Sequence, residues 1–296
     1  MLARCPAPLR GALTGLLLGL NTVCVFLLMV PPALVKLVLP AEAVRRACDR
    51  ALNALASRWV AHNGAWIAAV NPRAVWDVQG VDALHPRGWY LVSSNHQTWV
   101  DILVLQRVLH GHVPFLKFFL KAELIWVPVI GLAWWALDFP FMKRGKGHGA
   151  RHSDLKTTRA ACEKFKRIPT AVMNFVEGTR FTAAKHAAQR SPYRHLLKPK
   201  IGGLGVALAA MGEQFEALLD VTIVYPDGIP TFWDFLCGRV SQVVVHGRQL
   251  PIPAHFCEGD YEGDVEFRGT IHRWLADLWE EKDARIDKLL KSPRKH

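Results

Sequence analysis

The chain has 296 residues, a length typical of one large domain or of one domain with an appendage. Hydrophobic residues make up 51% of the chain, the mean hydropathy is +0.12 and the formal net charge is +12. A basic surface favours anionic partners, so nucleic acid, anionic lipid and phosphorylated substrates all remain open. The six cysteines are scattered, without a CxxC pair or a Cys/His zinc spacing, which predicts free thiols and no metal site.

The first long segment, residues 11–35, carries no charge. Pro31 and Pro32 predict that its helix ends near Val30. At about 1.5 Å per residue, residues 11–30 reach about 30 Å, the hydrocarbon thickness of a bilayer. The run is too long for a cleavable signal peptide, and no clean small-residue cleavage site follows it. We therefore expect a membrane anchor, while basic residues on both sides leave open whether the helix crosses the bilayer or returns.

A second helical segment, residues 41–70, is amphipathic at its start and apolar at its end. It either lies in the lipid headgroup layer, with Trp59 and Trp66 as anchors, or packs against the globular part. We expect residues 1–70 to form membrane-anchoring helices and residues 71–296 to form one globular domain.

Short apolar runs alternate with helical patterns from about Val75 onward. The predicted strands are residues 89–93, 170–176, 219–225 and 242–246, and the predicted helices are residues 102–109, 202–211 and 271–290, with another helix starting at Ser153. This alternation predicts an α/β fold with a mostly parallel mixed sheet covered by helices. In such sheets ligands bind beyond the carboxyl ends of the strands.

The first polar motif, SNHQTWVD, follows the strand predicted at residues 89–93. On a continuous helix His96 and Asp101 would point about 140° apart, but they can meet if His96 lies in the turn before the helix. Thr98 and Asp101 match a capping box, in which case Asp101 binds only backbone N–H groups. The alternative is a catalytic pair, in which Asp101 orients His96 and His96 deprotonates a hydroxyl. No GxSxG sequence is present, so that hydroxyl would belong to the substrate.

The second polar motif, FVEGTR, follows the strand predicted at residues 170–176. Gly178 allows a close approach of the backbone to a ligand, Thr179 offers a hydroxyl, and Arg180 offers a forked donor for phosphate oxygens. The alternative is a polar turn in which Glu177 and Arg180 form a surface pair. Basic loops at residues 141–149 and 195–203 are either further phosphate contacts or solvated surface.

These motifs, in this order, resemble the glycerophospholipid acyltransferase family, the group with the 1-acyl-glycerol-3-phosphate acyltransferases. The family's first block, N-H-x-x-x-x-D, is matched by residues 95–101, and its third block, (F/V)-x-E-G-T-R, by residues 175–180. The second block centres on an arginine, here Arg144. The fourth, an apolar strand ending in proline, is loosely matched by residues 223–226.

The resemblance implies that His96 is a general base and that Asp101 orients it. It places Arg144, Glu177, Gly178 and Arg180 at the phosphate of the acceptor, and we expect Asn95 and Thr179 to join them in binding substrate. Backbone N–H groups near the His96 turn are candidates for holding the oxyanion of the tetrahedral intermediate.

The implied reaction transfers a fatty acyl chain from acyl-CoA or acyl carrier protein to the free hydroxyl of lysophosphatidic acid, without a bound cofactor or metal. The implied partners are the lysophospholipid, the acyl thioester and the bilayer, and no nucleic-acid motif is present. We expect the globular part to face the cytoplasm, at the inner membrane of a bacterium. Two alternatives remain: another lysophospholipid or phosphorylated acceptor, and a non-catalytic protein that binds anionic lipid on the same scaffold.

Overall fold

The computed structural model describes residues 5–39, 41–139, 141–142, 159–160, 162–257, 259, 261 and 263–292. The strands are β1 (Val75–Gln79), β2 (Tyr90–Ser94), β3 (Leu116–Phe118), β4 (Leu120–Lys121), β5 (Phe141–Met142), β6 (Ala171–Asn174), β7 (Ala217–Val224) and β8 (Gln242–Leu250). The α-helices are α1 (Ala7–Val38), α2 (Glu42–Val70), α3 (Val100–Leu109), α4 (Ile130–Ala136), α5 (Ala183–Gln189), α6 (Gly202–Met211), α7 (Phe232–Leu236) and α8 (Val265–Lys291). Residues 162–165 are also helical.

The main sheet has six strands in the order β1–β8–β7–β2–β6–β3. β2 pairs in parallel with both β6 and β7, β3 pairs in parallel with β6, and β1 pairs in parallel with β8. The β7–β8 pair is antiparallel. β4 and β5 form a separate two-stranded parallel sheet. The predicted mostly parallel mixed sheet is therefore confirmed.

Helices cover both faces of the main sheet, as a largely parallel sheet requires. Successive side chains of a strand point to opposite faces. In β2, Tyr90 and Val92 therefore enter one hydrophobic core, which residues of α1, α2, α3 and α4 complete. Leu91 enters the second core, which is built with α6 and α8.

The helix α1 does not end at the two prolines. Pro31 and Pro32 lie inside it, and it continues to Val38, so the prediction that it ends near Val30 is wrong. Contacts with the rest of the protein outweigh the hydrogen bonds that the prolines lack. Ala33 packs against the first core, and Lys36 forms an ion pair with Asp49 at 2.7 Å.

The helix α2 packs against the globular part, as one of the two alternatives for residues 41–70 predicts. Its buried positions recur at helical spacing and include Leu52, Ala56, Val60 and Ile67. Arg107 of α3 donates to the Gly64 carbonyl at 2.7 Å. Such a stripe is the core-facing side of an amphipathic helix.

Most predicted elements exist, with ends displaced by a few residues. The helix at residues 202–211 has the predicted bounds. Strand β8 is longer than predicted and helix α8 begins earlier. The predicted helix start at Ser153 lies outside the described residues.

Candidate active site

The two polar motifs meet at one edge of the sheet. The parallel strands β2, β6 and β7 all end there, at Ser94, Asn174 and Val224. The motif of residues 95–101 follows β2, and the motif of residues 175–180 follows β6. This edge is where a largely parallel sheet forms its ligand sites.

His96 and Asp101 are in direct contact. The His96 Nδ1 atom lies 2.9 Å from Asp101 Oδ2, and the His96 side chain is 11% exposed. The contact forms because residues 95–98 are not helical and α3 begins only at Val100. The face of the His96 ring stacks on Phe175, with ring centroids 3.9 Å apart. A carboxylate only accepts hydrogen bonds, so His96 Nδ1–H donates to Asp101 and Nε2 is left as the basic nitrogen.

The Asp101 carboxylate accepts hydrogen bonds from four groups. Its Oδ2 atom also accepts from the backbone N–H groups of Gln97, at 2.6 Å, and Thr98, at 2.9 Å. Its Oδ1 atom accepts from the Tyr225 hydroxyl at 2.7 Å. Burial, followed by the Asp101 charge, raises the pKa of Tyr225 well above its usual value, so this hydroxyl stays protonated and donates. Asp101 is fully buried, and these donors stabilise its charge.

The capping box is present only in part. Asp101 accepts from the Thr98 N–H, as a box requires. Thr98 Oγ1 donates to the Pro230 carbonyl at 2.8 Å and accepts from the Val100 N–H at 3.4 Å, not from the Asp101 N–H that a full box would use. The N-cap position is Trp99, without a side-chain cap. Asp101 therefore both holds the turn and contacts the imidazole, and the two alternatives of the sequence are combined.

Asn95 is fully buried and its amide is used within the protein. Its Nδ2 donates to the Ile223 carbonyl at 2.8 Å, and its Oδ1 accepts from the Ile223 N–H at 2.9 Å. The side chain thus replaces a strand neighbour and ties the end of β2 to β7. In the structure Asn95 therefore positions the His96 turn, and its predicted contact with a substrate stays a prediction.

Glu177 is fully buried between two backbone N–H groups. Its Oε1 accepts from His96 at 2.8 Å, and its Oε2 accepts from Leu197 at 2.8 Å. Burial raises the pKa of Glu177 to about 8, while the Leu197 and His96 N–H groups and the Lys282 charge oppose that rise. No ion pair with Arg180 is formed, so the proposed surface pair is absent among the described residues. Glu177 joins the two motifs, and its predicted place at an acceptor phosphate stays a prediction.

The three N–H groups around the His96 turn are therefore occupied. Glu177 accepts from His96, and Asp101 accepts from Gln97 and Thr98. Each of these three N–H groups already donates to a carboxyl oxygen in this structure, so none of them is available to an oxyanion without giving up that bond.

Cationic side chains surround Gly178, Thr179 and the exposed Arg180. Gly178 has a φ of +70°, and a Cβ there would lie 3.1 Å from Lys200 Cδ. Lys185 Nζ donates to Thr179 Oγ1 at 2.8 Å and to the Arg180 carbonyl at 3.0 Å. Arg180, Lys185 and Lys200 are the three cations of this turn, and within the described ranges none of them forms an ion pair with a carboxylate. Their grouping at the strand ends is suited to a phosphate.

The Arg180 guanidinium lies over the ring of Trp99, 4.6 Å from the ring centroid. Trp99 is 49% exposed. A cation held by an aromatic face keeps its outer donors available for an anion. The stacking also joins the two motifs at the surface, as Glu177 joins them below.

Sequence reasoning missed three contributors to this site. Phe175 and Tyr225 stand in quoted motifs, yet their contacts with His96 and Asp101 had no local signal. Tyr225 follows β7 directly, so the rule on strand ends could have found it. Lys185 belongs to α5, a helix that was not predicted. Arg144 lies outside the described residues.

A model of the acyltransferase family matches residues 75–226 of the chain. The 1-acyl-sn-glycerol-3-phosphate acyltransferase epsilon of Mus musculus is 26% identical over 227 residues, which cover 68% of this chain and 58% of the mouse protein. The 1-acyl-sn-glycerol-3-phosphate acyltransferase 2 of Arabidopsis thaliana is 31% identical over 212 residues, 67% of this chain and 51% of the plant protein. The chain thus spans between half and two thirds of these relatives.

The fold is also similar to a solved structure. The crystal structure of the 1-acyl-sn-glycerophosphate (LPA) acyltransferase PlsC from Thermotoga maritima aligns with a TM-score of 0.57 at 17% identity. The alignment covers 98% of this chain and all of that protein. The family match covers both polar motifs and every strand end of the site, and this chain belongs to the acyltransferase family.

Proposed function

We propose that this chain is a membrane-associated O-acyltransferase. It moves a fatty acyl chain from acyl-CoA or acyl carrier protein to the free hydroxyl of lysophosphatidic acid, giving phosphatidic acid. The observation that carries the proposal is the 2.9 Å contact between His96 Nδ1 and Asp101 Oδ2 at the strand ends. The names of the relatives support the choice of acceptor.

His96 acts as the general base. Its Nε2 takes the proton of the acceptor hydroxyl while that oxygen attacks the thioester carbonyl carbon. Asp101 stabilises the imidazolium that forms. The new C–O bond then replaces the C–S bond, and the leaving thiolate takes the proton back from His96. No serine or cysteine side chain bonds His96 in the described part of the chain, so the acyl group passes directly between substrates.

The acceptor phosphate binds at Arg180, beside Lys185 and Lys200. Arg180 supplies a planar fork suited to phosphate oxygens, and the Trp99 ring orients it. Gly178 keeps the turn narrow enough for Lys200 to lie beside it. We retain Arg144 as a further phosphate contact on the family resemblance alone.

The helix α1 anchors the protein in one leaflet of the bilayer. Among the described residues it is the helix long and apolar enough to cross: an 18-residue window has a mean hydropathy of 2.3, and 17% of that window is buried. Both of its ends nevertheless contact the globular part. A Cβ at Gly11 would lie 2.6 Å from Cys237 Sγ, and Lys36 donates to the Ala136 carbonyl at 3.2 Å.

These two contacts are about 38 Å apart along the helix, at 1.5 Å per residue. A helix that crossed the bilayer would carry one end away from the domain, so α1 lies along the membrane surface of the domain. Its neighbours extend this surface: Trp126 of the turn before α4 is 85% exposed and Trp233 of α7 is 47% exposed. Tryptophan favours the membrane interface. The donor thioesters are cytosolic, so we place the domain on the cytoplasmic face, at the inner membrane if the source is bacterial.

The test is acyl transfer from oleoyl-CoA to lysophosphatidic acid by membranes that contain the wild type, His96→Ala or His272→Ala. His272 is an exposed histidine of α8 and serves as the matched control. We expect product from the wild type and the control, and a loss of about 10²–10⁴-fold for His96→Ala. Activity that survives in His96→Ala contradicts the mechanism. If the folded wild type forms no product with any lysophospholipid and either donor, the proposed reaction is wrong, and a different phosphorylated acceptor and non-catalytic lipid binding remain as alternatives.

A second comparison tests the acceptor site. Arg180→Ala should raise the acceptor KM at least tenfold, because a charge-assisted phosphate contact contributes about 1.5–3 kcal/mol, and should change the donor KM less. Arg87→Ala is the control, since Arg87 is exposed and precedes β2 at the opposite edge of the sheet. Equal effects of Arg180→Ala on both substrates would remove the phosphate assignment while leaving the reaction class.

A further inference from the structure

The C-terminal helix α8 contacts the active site through one short stretch of chain, Tyr193–Lys198, which we call the bridging segment. Leu197 of this segment is fully buried. Its N–H donates to Glu177 Oε2 at 2.8 Å, and its carbonyl accepts from Trp279 Nε1 at 3.1 Å. Leu197 therefore connects Glu177 to α8 by hydrogen bonds, in addition to the Lys282 charge of the same helix, which acts on the Glu177 carboxyl group.

A stripe of α8 side chains holds the rest of the bridging segment. Asp283, one turn beyond Trp279, accepts the backbone N–H groups of Arg194 at 2.8 Å and His195 at 2.7 Å. Asp287, another turn on, accepts from the side chains of the same two residues, at 3.0 and 3.2 Å. Positions 279, 283 and 287 recur every four residues, so they share one face of the helix.

A buried ion pair fixes α8 against the sheet. Lys282 is fully buried, and its Nζ lies 2.6 Å from Asp220 Oδ1 and 2.5 Å from the Val221 carbonyl of β7. The same ammonium lies 5.1 Å from the centroid of the Trp279 ring. The Lys282 ammonium, which binds β7, therefore also contacts the Trp279 ring that donates to Leu197.

We propose that α8 is a positioning element of the active site, and that Trp279 and Asp283 act on the His96 turn through Leu197 and Glu177. Glu177 holds the Leu197 N–H with one oxygen and the His96 N–H with the other. A displacement of the bridging segment therefore moves the carboxylate that fixes the base. The helix starts at Val265, beyond the family match, which ends at residue 226. This chain thus supports the family's active site with residues outside the family's own motifs.

The inference rests on the proposed function for its kinetic test, so a second readout without substrate accompanies it. Trp279→Phe removes the N–H donor and keeps a ring in the core. Trp274→Phe is the matched control on the same helix, because Trp274 contacts Phe256 and makes no hydrogen bond within the described chain. Hydrogen exchange of the peptide covering residues 94–99 and acyl transfer are measured for both.

We expect Trp279→Phe to raise exchange in that peptide and to lower kcat about fivefold, with the acceptor KM unchanged, from the loss of one hydrogen bond. In a Glu177→Gln background the same change should cost much less, because its effect passes through Glu177. If Trp279→Phe misfolds, the pair Asp283→Asn and Asp283→Ala replaces it as the test. Asp283→Asn keeps one acceptor oxygen for the bridging segment, so it should retain more activity than Asp283→Ala.

Unchanged exchange and kcat in Trp279→Phe, equal losses in Trp274→Phe, or additive losses with Glu177→Gln would each overturn the inference. The two readouts can also disagree. If exchange changes only in Trp279→Phe but the wild type transfers no acyl chain, the exchange result supports the positioning role, and the missing transfer contradicts the proposed function.

Discussion

The charge of Asp101 should matter more than the shape of its side chain. In Asp101→Asn the amide carbonyl can still accept from His96, Gln97 and Thr98, and its NH₂ group can donate to the Tyr225 hydroxyl oxygen. The turn is therefore expected to keep its conformation. The change removes the negative charge that stabilises the imidazolium during proton transfer.

The size of this effect follows from the geometry. With N and O 2.9 Å apart, the delocalised charges of His96 and Asp101 are centred roughly 4 Å apart. At an effective dielectric constant of about 20 their interaction is about 4 kcal/mol, which corresponds to roughly 10³-fold in kcat. Tyr225→Phe removes one donor and leaves the charge, so it should cost less than about tenfold.

The assay is acyl transfer from oleoyl-CoA to lysophosphatidic acid in vesicles at saturating substrates, with the melting temperature of each variant measured alongside. A folded Asp101→Asn protein within tenfold of the wild-type kcat would refute the electrostatic argument. Equal losses in Asp101→Asn and Tyr225→Phe would show that geometry, not charge, is what Asp101 supplies.

Three further predictions concern stability and the turn after β6. Burial raises the pKa of Glu177 from 4.5 to about 8, so the native state binds a proton that the unfolded state has lost, and wild-type stability falls as pH rises through this range. The neutral Glu177→Gln variant lacks this loss, so its melting temperature should rise relative to the wild type between about pH 4.5 and 8. A constant difference in melting temperature would contradict the burial argument. Burial lowers the pKa of Lys117 from 10.5 to about 8, so the charged ammonium destabilises the native state below pH 8. Lys117→Met should therefore raise the free energy of unfolding by about 3 kcal/mol near neutral pH, with the gain fading above pH 8. Urea unfolding measures this, and a lower free energy of unfolding for Lys117→Met at pH 7 would contradict it. Gly178→Ala forces a side chain into φ +70° and should cost about 1–2 kcal/mol and raise the acceptor KM, whereas a neutral effect in both would show that the turn can adopt another conformation.

The sequence was sufficient to predict four strands of the main sheet, β2, β6, β7 and β8, because they are short apolar runs; the edge strands β1 and β3 were not predicted. The approach of His96 to Asp101 was also predictable, since a turn before a helix brings the two positions together. The amide of Asn95 binding Ile223, 128 residues away, had no local signal. The role of Glu177 was likewise hidden, because its second partner, Leu197, lies in irregular chain.

The prolines of α1 show where a correct local rule gives a wrong helix end. Local propensity correctly marks Pro31 as unfavourable within a helix. It carries no information about Lys36, whose ion pairs with Asp49 and Asp138 hold the last turns in place. Tertiary contacts made by distant carboxylates therefore decide where this helix ends.

The contacts at the two ends of α1 also impose an order on synthesis. The partner of Gly11 is Cys237, which the ribosome adds 237 − 11 = 226 residues later. At about 5–20 residues per second this takes roughly 11–45 seconds. For that time the first turns of the apolar helix lack their contact with Cys237, although α2 follows α1 directly in the chain and packs against it, for example through Asn21 and Asn63. If α1 is the membrane anchor proposed above, the bilayer holds its first turns before Cys237 is made, and the finished domain docks onto a helix that is already in lipid.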